Sequence, residues 1–179
     1  MTFEENNTVA KEFAPTVFFV LKNKGLISPK GYRDCSGTEK DFFDKIDMIA
    51  YLPSGKEQPI QIRAFSVNKV DPDFRFCFPL RNYQLKNKSE FEKIQSKEMD
   101  DVWFVFGEFK INKADSIYNH RFKYGFVSIW MCTGEDLRFG QEVGDRIFED
   151  GHKLTYVKPT KYVQLRGPPL GIREDFKNI

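Results

Sequence analysis

Histidine and cysteine are scarce in this chain of 179 residues, which has two of the first and three of the second. Two histidines, His120 and His152, and no Gly-x-Ser-x-Gly elbow argue against a nucleophilic triad. No two cysteines or histidines stand at ligand spacing, which argues against a structural zinc. Cys35, Cys77 and Cys132 are scattered and odd in number, which fits small core residues in a reducing compartment better than a disulfide framework. Long apolar runs are missing too. The longest, such as residues 17–21, fall far short of the roughly 20 residues a membrane helix needs. The opening Met-Thr-Phe-Glu-Glu-Asn-Asn has neither a basic nor an apolar leader segment, so no secretory signal is readable. A soluble, intracellular (cytoplasmic) protein with no membrane partner is the expectation. There is also no Walker loop and no Gly-x-Gly-x-x-Gly after a strand, which disfavours a nucleotide-binding Rossmann fold.

Aromatic and charged residues are plentiful, at 16% and 30%, and nineteen phenylalanines can build a substantial core. That composition excludes a disordered chain. Net charge is only +2, but its distribution is uneven. Residues 34–47 carry five acids (Asp34, Glu39, Asp41, Asp44, Asp47) against two lysines, and residues 151–179 carry six basic residues against two acids. Such a pattern is ordinary surface charge, or an acidic metal site set in basic surroundings that handle a polyanion.

Periodicity divides the chain into mixed elements. Residues 3–24 read as a helix, with Phe3, Val9, Phe13, Val17, Val20 and Leu21 near helical spacing and Pro15 marking a kink or a second start. A short strand is expected near residues 32–35. Residues 46–52 and 59–67 read as a hairpin across Pro53-Ser54-Gly55-Lys56-Glu57-Gln58. Further strands are expected over 74–78, 101–109, 124–131 and 153–157, with helices over 89–99 and from a Thr133 cap to about 148. This order gives an α+β class, a mixed sheet flanked by helices, in one domain over residues 1–166 with an irregular Gly/Pro-containing tail over 167–179.

The residues that could do chemistry lie in the hairpin. Alternation puts Met48, Ala50, Ile60, Ile62 and Ala64 on one face and Asp47, Ile49, Tyr51, Gln61, Arg63 and Phe65 on the other. A turn centred on Gly55 sets Asp47 opposite Arg63, with Gln61 diagonal to it. The plain alternative is a surface hairpin whose exposed face carries Asp, Gln and Arg. Basic residues Arg75, Arg81, Lys86 and Lys88 follow, interleaved with Phe74, Phe76, Phe78 and Tyr83. That interleaving suits a strand with an aromatic core face, or a surface where rings stack on bases and cations hold phosphates. His120 and Arg121, in a polar loop, are solvated or contact phosphate.

Asp47, then a turn, then Gln61-Ile62-Arg63 within an apolar strand resembles the PD-(D/E)XK, or restriction-endonuclease-like, superfamily, in which an Asp opens one strand and Glu-x-Lys stands on the next. As an order of elements the resemblance covers residues 5–132. It implies a restriction-endonuclease-like core and Mg²⁺- or Mn²⁺-dependent phosphodiester hydrolysis, with nucleic acid, DNA first, as partner and homodimerisation left open. It further implies Asp47 and the Ile62 carbonyl as metal ligands, Gln61 at the Glu position, Arg63 at the Lys position, and Glu12 or Asp34 as a further acid. Two departures stand out. Gln61 brings no charge, and Arg63 stays protonated, so it can clamp a phosphate but not act as a tunable base. An inactive module of the same fold, binding nucleic acid or a protein partner, is the alternative.

Overall fold

The computed structural model describes residues 3–74, 76–83, 88–112 and 123–167. Helix α1 (Phe3–Asn23) leads into a short strand β1 (Arg33–Asp34), a short helix α2 (Glu39–Asp44) and the hairpin β2 (Met48–Tyr51) and β3 (Glu57–Ser66). Strand β4 (Phe78–Arg81) and helix α3 (Glu90–Gln95) follow, then the long pair β5 (Trp103–Asn112) and β6 (Lys123–Thr133). Helix α4 (Gly134–Arg138) and strands β7 (Gln141–Ile147), β8 (Lys153–Lys158) and β9 (Val163–Arg166) complete the described chain.

Six strands form one sheet in the order β1-β2-β3-β5-β6-β9, and β4-β8-β7 form a second. β3 and β5 run parallel, while the other pairs are antiparallel. The class is therefore α+β with a mixed central sheet. Alternation along the central strands feeds two cores. On one face α1 packs Phe13, Val17 and Leu21 onto Met48, Ala50, Ile60, Val105 and Ile129. On the other, Ile49, Phe104, Phe106 and Trp130 meet Phe78, Leu80 and Val157 of the second sheet, Ile94 of α3 and Leu137 of α4. Among the described residues, no helix is long and apolar enough to cross a membrane.

Helix α1 runs on through Pro15. A proline inside a helix costs about 3 kcal/mol, whereas each fully buried large apolar side chain returns roughly 1.5–3 kcal/mol. With Val9, Phe13, Val17, Val20 and Leu21 all buried, packing outweighs the missing hydrogen bond. The helix can approach the sheet because residue 107 is glycine. A Cβ there would lie 2.7 Å from the Phe13 ring and 2.9 Å from Phe126.

Four expectations need correction. The hairpin register is Met48↔Ile60 through Tyr51↔Glu57, so Asp47 comes opposite Gln61 rather than Arg63. The loop is three residues long, closed by Leu52 N–H to Lys56 O (2.8 Å) and Gly55 N–H to Leu52 O (2.8 Å), with Gly55 left-handed at φ +89°. The displacement equals two residues, so the faces stay as expected. Residues 74–78 are not a strand: a 3-10 turn over Pro72–Phe74 gives way to β4 only at Phe78, with Phe76 left-handed at φ 61° between them. The helix from Thr133 has its capping box but stops at Arg138. There Gly140 passes so close to β8 that a Cβ would meet Lys158 O at 2.3 Å, and the chain turns into β7. Strand β9, pairing with β6, was not anticipated. The tail over residues 168–179 lies outside the described residues.

Candidate functional site

Strand β2 begins late. Only Glu57–Ile60 of β3 pair with it, so beyond Ile60 the same edge of β3 opens into a cleft of about 770 Å³. Asp47 stands at this gap. Its amide donates to Ile60 O (3.1 Å), its carbonyl accepts from Cys35 N–H (2.8 Å), and its carboxylate Oδ2 accepts from Ile62 N–H (2.9 Å). Asp47 thus satisfies with its side chain an edge donor that a longer β2 would have paired. A residue's N–H and C=O point to the same edge of a strand, so the Ile62 carbonyl faces the opening as well.

Gln61 and Arg63 project from β3 toward the second sheet and meet Glu90, the first residue of α3, which Ser89 caps. Glu90 is 1% exposed. Its Oε2 accepts from Gln61 Nε2 (2.8 Å) and Arg63 Nη2 (3.1 Å), and its Oε1 from Arg81 N–H (3.1 Å). Arg63 Nη1 also donates to Pro79 O (2.9 Å), and its guanidinium lies 5.9 Å from the centre of the Phe78 ring. A carboxylate accepts and cannot donate, so the Gln61 amide must turn its nitrogen to Glu90. Its Oε1 is then left buried with no hydrogen-bond partner. An orphaned buried acceptor costs about 1–3 kcal/mol, so a position that keeps one calls for an explanation.

Asp47, Gln61, Ile62, Arg63, Arg81 and Glu90 line one cleft, together with Asp41 of α2, Lys45 and Lys11 of α1. Burial pushes the Asp47 carboxyl up to about 7, and the nearby Asp41 and Glu90 charges add to the rise, while the Ile62 hydrogen bond and the Arg63 charge oppose it. Lys45 is lowered, first by burial. Arg81 is lowered, first by the neighbouring Arg63 charge. Oxygen donors of the Asp47, Gln61 and Ile62 kind suit a hard divalent cation such as Mg²⁺, and the orphaned Gln61 oxygen fits that use. Among the described residues, no three of His, Cys, Asp and Glu converge as a ready-made metal cluster.

Other candidates lie elsewhere. Glu12 accepts a hydrogen bond from Tyr124 Oη on α1's far flank, and Asp34 accepts from Ser36 N–H (2.9 Å). Neither lines the cleft, whose further carboxylate is Asp41. Lys88 is exposed and paired with Glu98 at 3.5 Å. Arg75, Lys86, His120 and Arg121 fall outside the described residues. Cys35, Cys77 and Cys132 are buried and outside any disulfide, with Cys77 pushed up to about 11 by burial, as small core residues should be. Sequence reasoning missed Glu90, because helix-start acids are common and nothing local says that one points inward to β3. Asp41 was visible within the acidic cluster, but nothing singled it out before α2 was known. Comparison with family models, curated proteins and solved structures finds no match for this chain.

Proposed function

We propose that the cleft beside β3 binds a nucleic-acid backbone and that the domain is a divalent-metal-dependent nuclease resembling the PD-(D/E)XK enzymes. The observation that carries the reading is the orphaned Gln61 Oε1, buried in the wall that Asp47 shares. The order of elements supports it. Helix α1, the antiparallel strands β1, β2 and β3, with α2 set between β1 and β2, and helix α3, with β4 of the second sheet before it, lead to β5, which runs parallel to β3; Asp47 stands just before β2 and Gln61-Ile62-Arg63 on β3.

On this reading Asp47, Gln61 and the Ile62 carbonyl hold Mg²⁺ or Mn²⁺, with Asp41 in place of Glu12 or Asp34 as the additional acid. A cation so held would supply charge neutralisation on the phosphate and activation of water. Lys11, Lys45 and Arg81 hold phosphate oxygens by charge. Arg63 does not reach the substrate. It positions Glu90, and through Glu90 it aims the Gln61 oxygen. Gln rather than Glu at position 61 follows from the same contact, since a second carboxylate would face Glu90 without a proton between them. The commitment of Arg63 to Glu90 and Pro79 favours a second reading, a module of this fold that binds nucleic acid without cutting it.

Labelled single-stranded, duplex and branched DNA, and RNA, incubated with Mg²⁺ or Mn²⁺ separate the two readings. Cutting by the wild type that Asp47→Ala abolishes is the expected result. Binding without cutting would leave the second reading, and cutting that survives Asp47→Ala would overturn the site.

A further inference from the structure

The cleft has an aromatic wall that the metal chemistry does not use. Phe148, at the end of β7, is 38% exposed and lines the same opening as Asp47 and Gln61. It is held in a closed turn: Phe148 N–H donates to His152 O (2.8 Å), and Gly151 N–H donates to Phe148 O (2.9 Å). The Arg146 guanidinium lies 5.1 Å from the ring centre. Strand β7 is exposed along almost its whole length, with the adjacent Ile147 at 72%, so within the described residues little of the protein covers this corner. A ring facing this opening contributes little to core packing, and the same cleft is lined by the cations Lys11, Lys45 and Arg81 as well as the carboxylates Asp41, Asp47 and Glu90.

We infer that Phe148 is a stacking platform for an unpaired base of the bound strand, so that the cleft takes single-stranded or frayed nucleic acid in preference to intact duplex. The inference rests on the reading of the cleft as a nucleic-acid site. Its occupant follows from charge and shape together. A polyanion is drawn to Lys11, Lys45 and Arg81, and a flat π-face is what a ring lining the same cleft can hold. Bases inside a duplex are already stacked and offer no free face, so the ring gains nothing from them. An apolar peptide would fill the aromatic corner but bring no charge to the cations of the cleft.

Fluorescence anisotropy with a labelled octanucleotide and with a blunt duplex, in Ca²⁺, reads binding apart from cleavage. Phe148→Ala should weaken single-strand binding about tenfold and leave duplex binding within about twofold, while Phe148→Trp should retain affinity. Walking one abasic site along the octanucleotide should find a position that costs the wild type a similar factor and costs Phe148→Ala nothing further. Equal losses on single strand and duplex, or no loss on either, would overturn the inference. Single-strand binding that depends on Phe148 with no cleavage in Mg²⁺ would sustain it while removing the nuclease reading. Failure of the wild type to bind any oligonucleotide would remove both.

Discussion

Glu90 holds three elements together with two oxygens, taking Gln61 and Arg63 from β3 and the Arg81 amide from β4 while itself beginning α3. With side chains 8% and 1% exposed, the Arg63–Glu90 pair is buried, and removing one partner of such a pair leaves an uncompensated charge. Glu90→Ala should therefore destabilise the fold by about 3–5 kcal/mol in urea denaturation, well beyond what an exposed pair such as Lys88–Glu98 would lose. Gln61→Glu, which restores the acid of the resembling motif, should lower the melting temperature by several degrees in chelator, because it replaces the donor to Glu90 with a second carboxylate. Asp47 gives the opposite sign. Its carboxyl gains a proton more readily in the folded chain, at about 7, than at its ordinary value of 3.8. The folded state then binds more protons across that window, and stability is lost as pH rises from about 4 through 7. In metal-free buffer Asp47→Asn should melt close to wild type near pH 4 and several degrees higher at pH 8. A gap that does not widen with pH would show that Asp47 is not held in this environment.

At the scale of elements, α1 reaches the sheet over Gly107, and Lys11 enters the cleft from that helix. Gly107→Ala forces a methyl against the Phe13 and Phe126 rings, and overpacking of this kind costs about 1–3 kcal/mol, measurable as a lower denaturation midpoint. Much of this level was legible. Period-two alternation in β2 and β3 sorted their residues onto the two faces that the structure shows, and the Thr133 capping box placed the start of α4. What failed depended on distant contacts. The hairpin register slipped by two residues because turn composition does not tell a loop centred on Ser54 from one centred on Gly55. Residues 141–147 were read as a continuation of the helix capped by Thr133, but pairing with β8 makes them a strand. The periodicity of Phe74, Phe76 and Phe78 likewise hid three separate environments. Phe74 stacks on Tyr156 at 4.2 Å, Phe76 on Tyr162 at 6.0 Å, and Phe78 is buried against Phe104.

Over the whole molecule, the cleft is assembled from α1, the segment from Ser36 through α2 to Asp47, β3, β4, α3, the β7–β8 turn and β8, so its members stand as far apart in the chain as Lys11 and Leu154. That is why the Asp47 and Gln61-Ile62-Arg63 portion was readable, being confined to one hairpin, while Glu90, Asp41 and Phe148 were not. The near-neutral net charge conceals the same fact. Cations and carboxylates scattered through the sequence are gathered by the fold into one opening. Whether Asp47 and the orphaned Gln61 oxygen share a cation there is tested directly by Mn²⁺ titration followed by electron paramagnetic resonance on the wild type, Asp47→Asn and Gln61→Ala. Saturable Mn²⁺ binding that Asp47→Asn abolishes and Gln61→Ala weakens about tenfold, the factor that about 1.4 kcal/mol of lost ligation corresponds to, is the expected result. Mn²⁺ binding of equal strength in all three proteins, or none in the wild type, would contradict it.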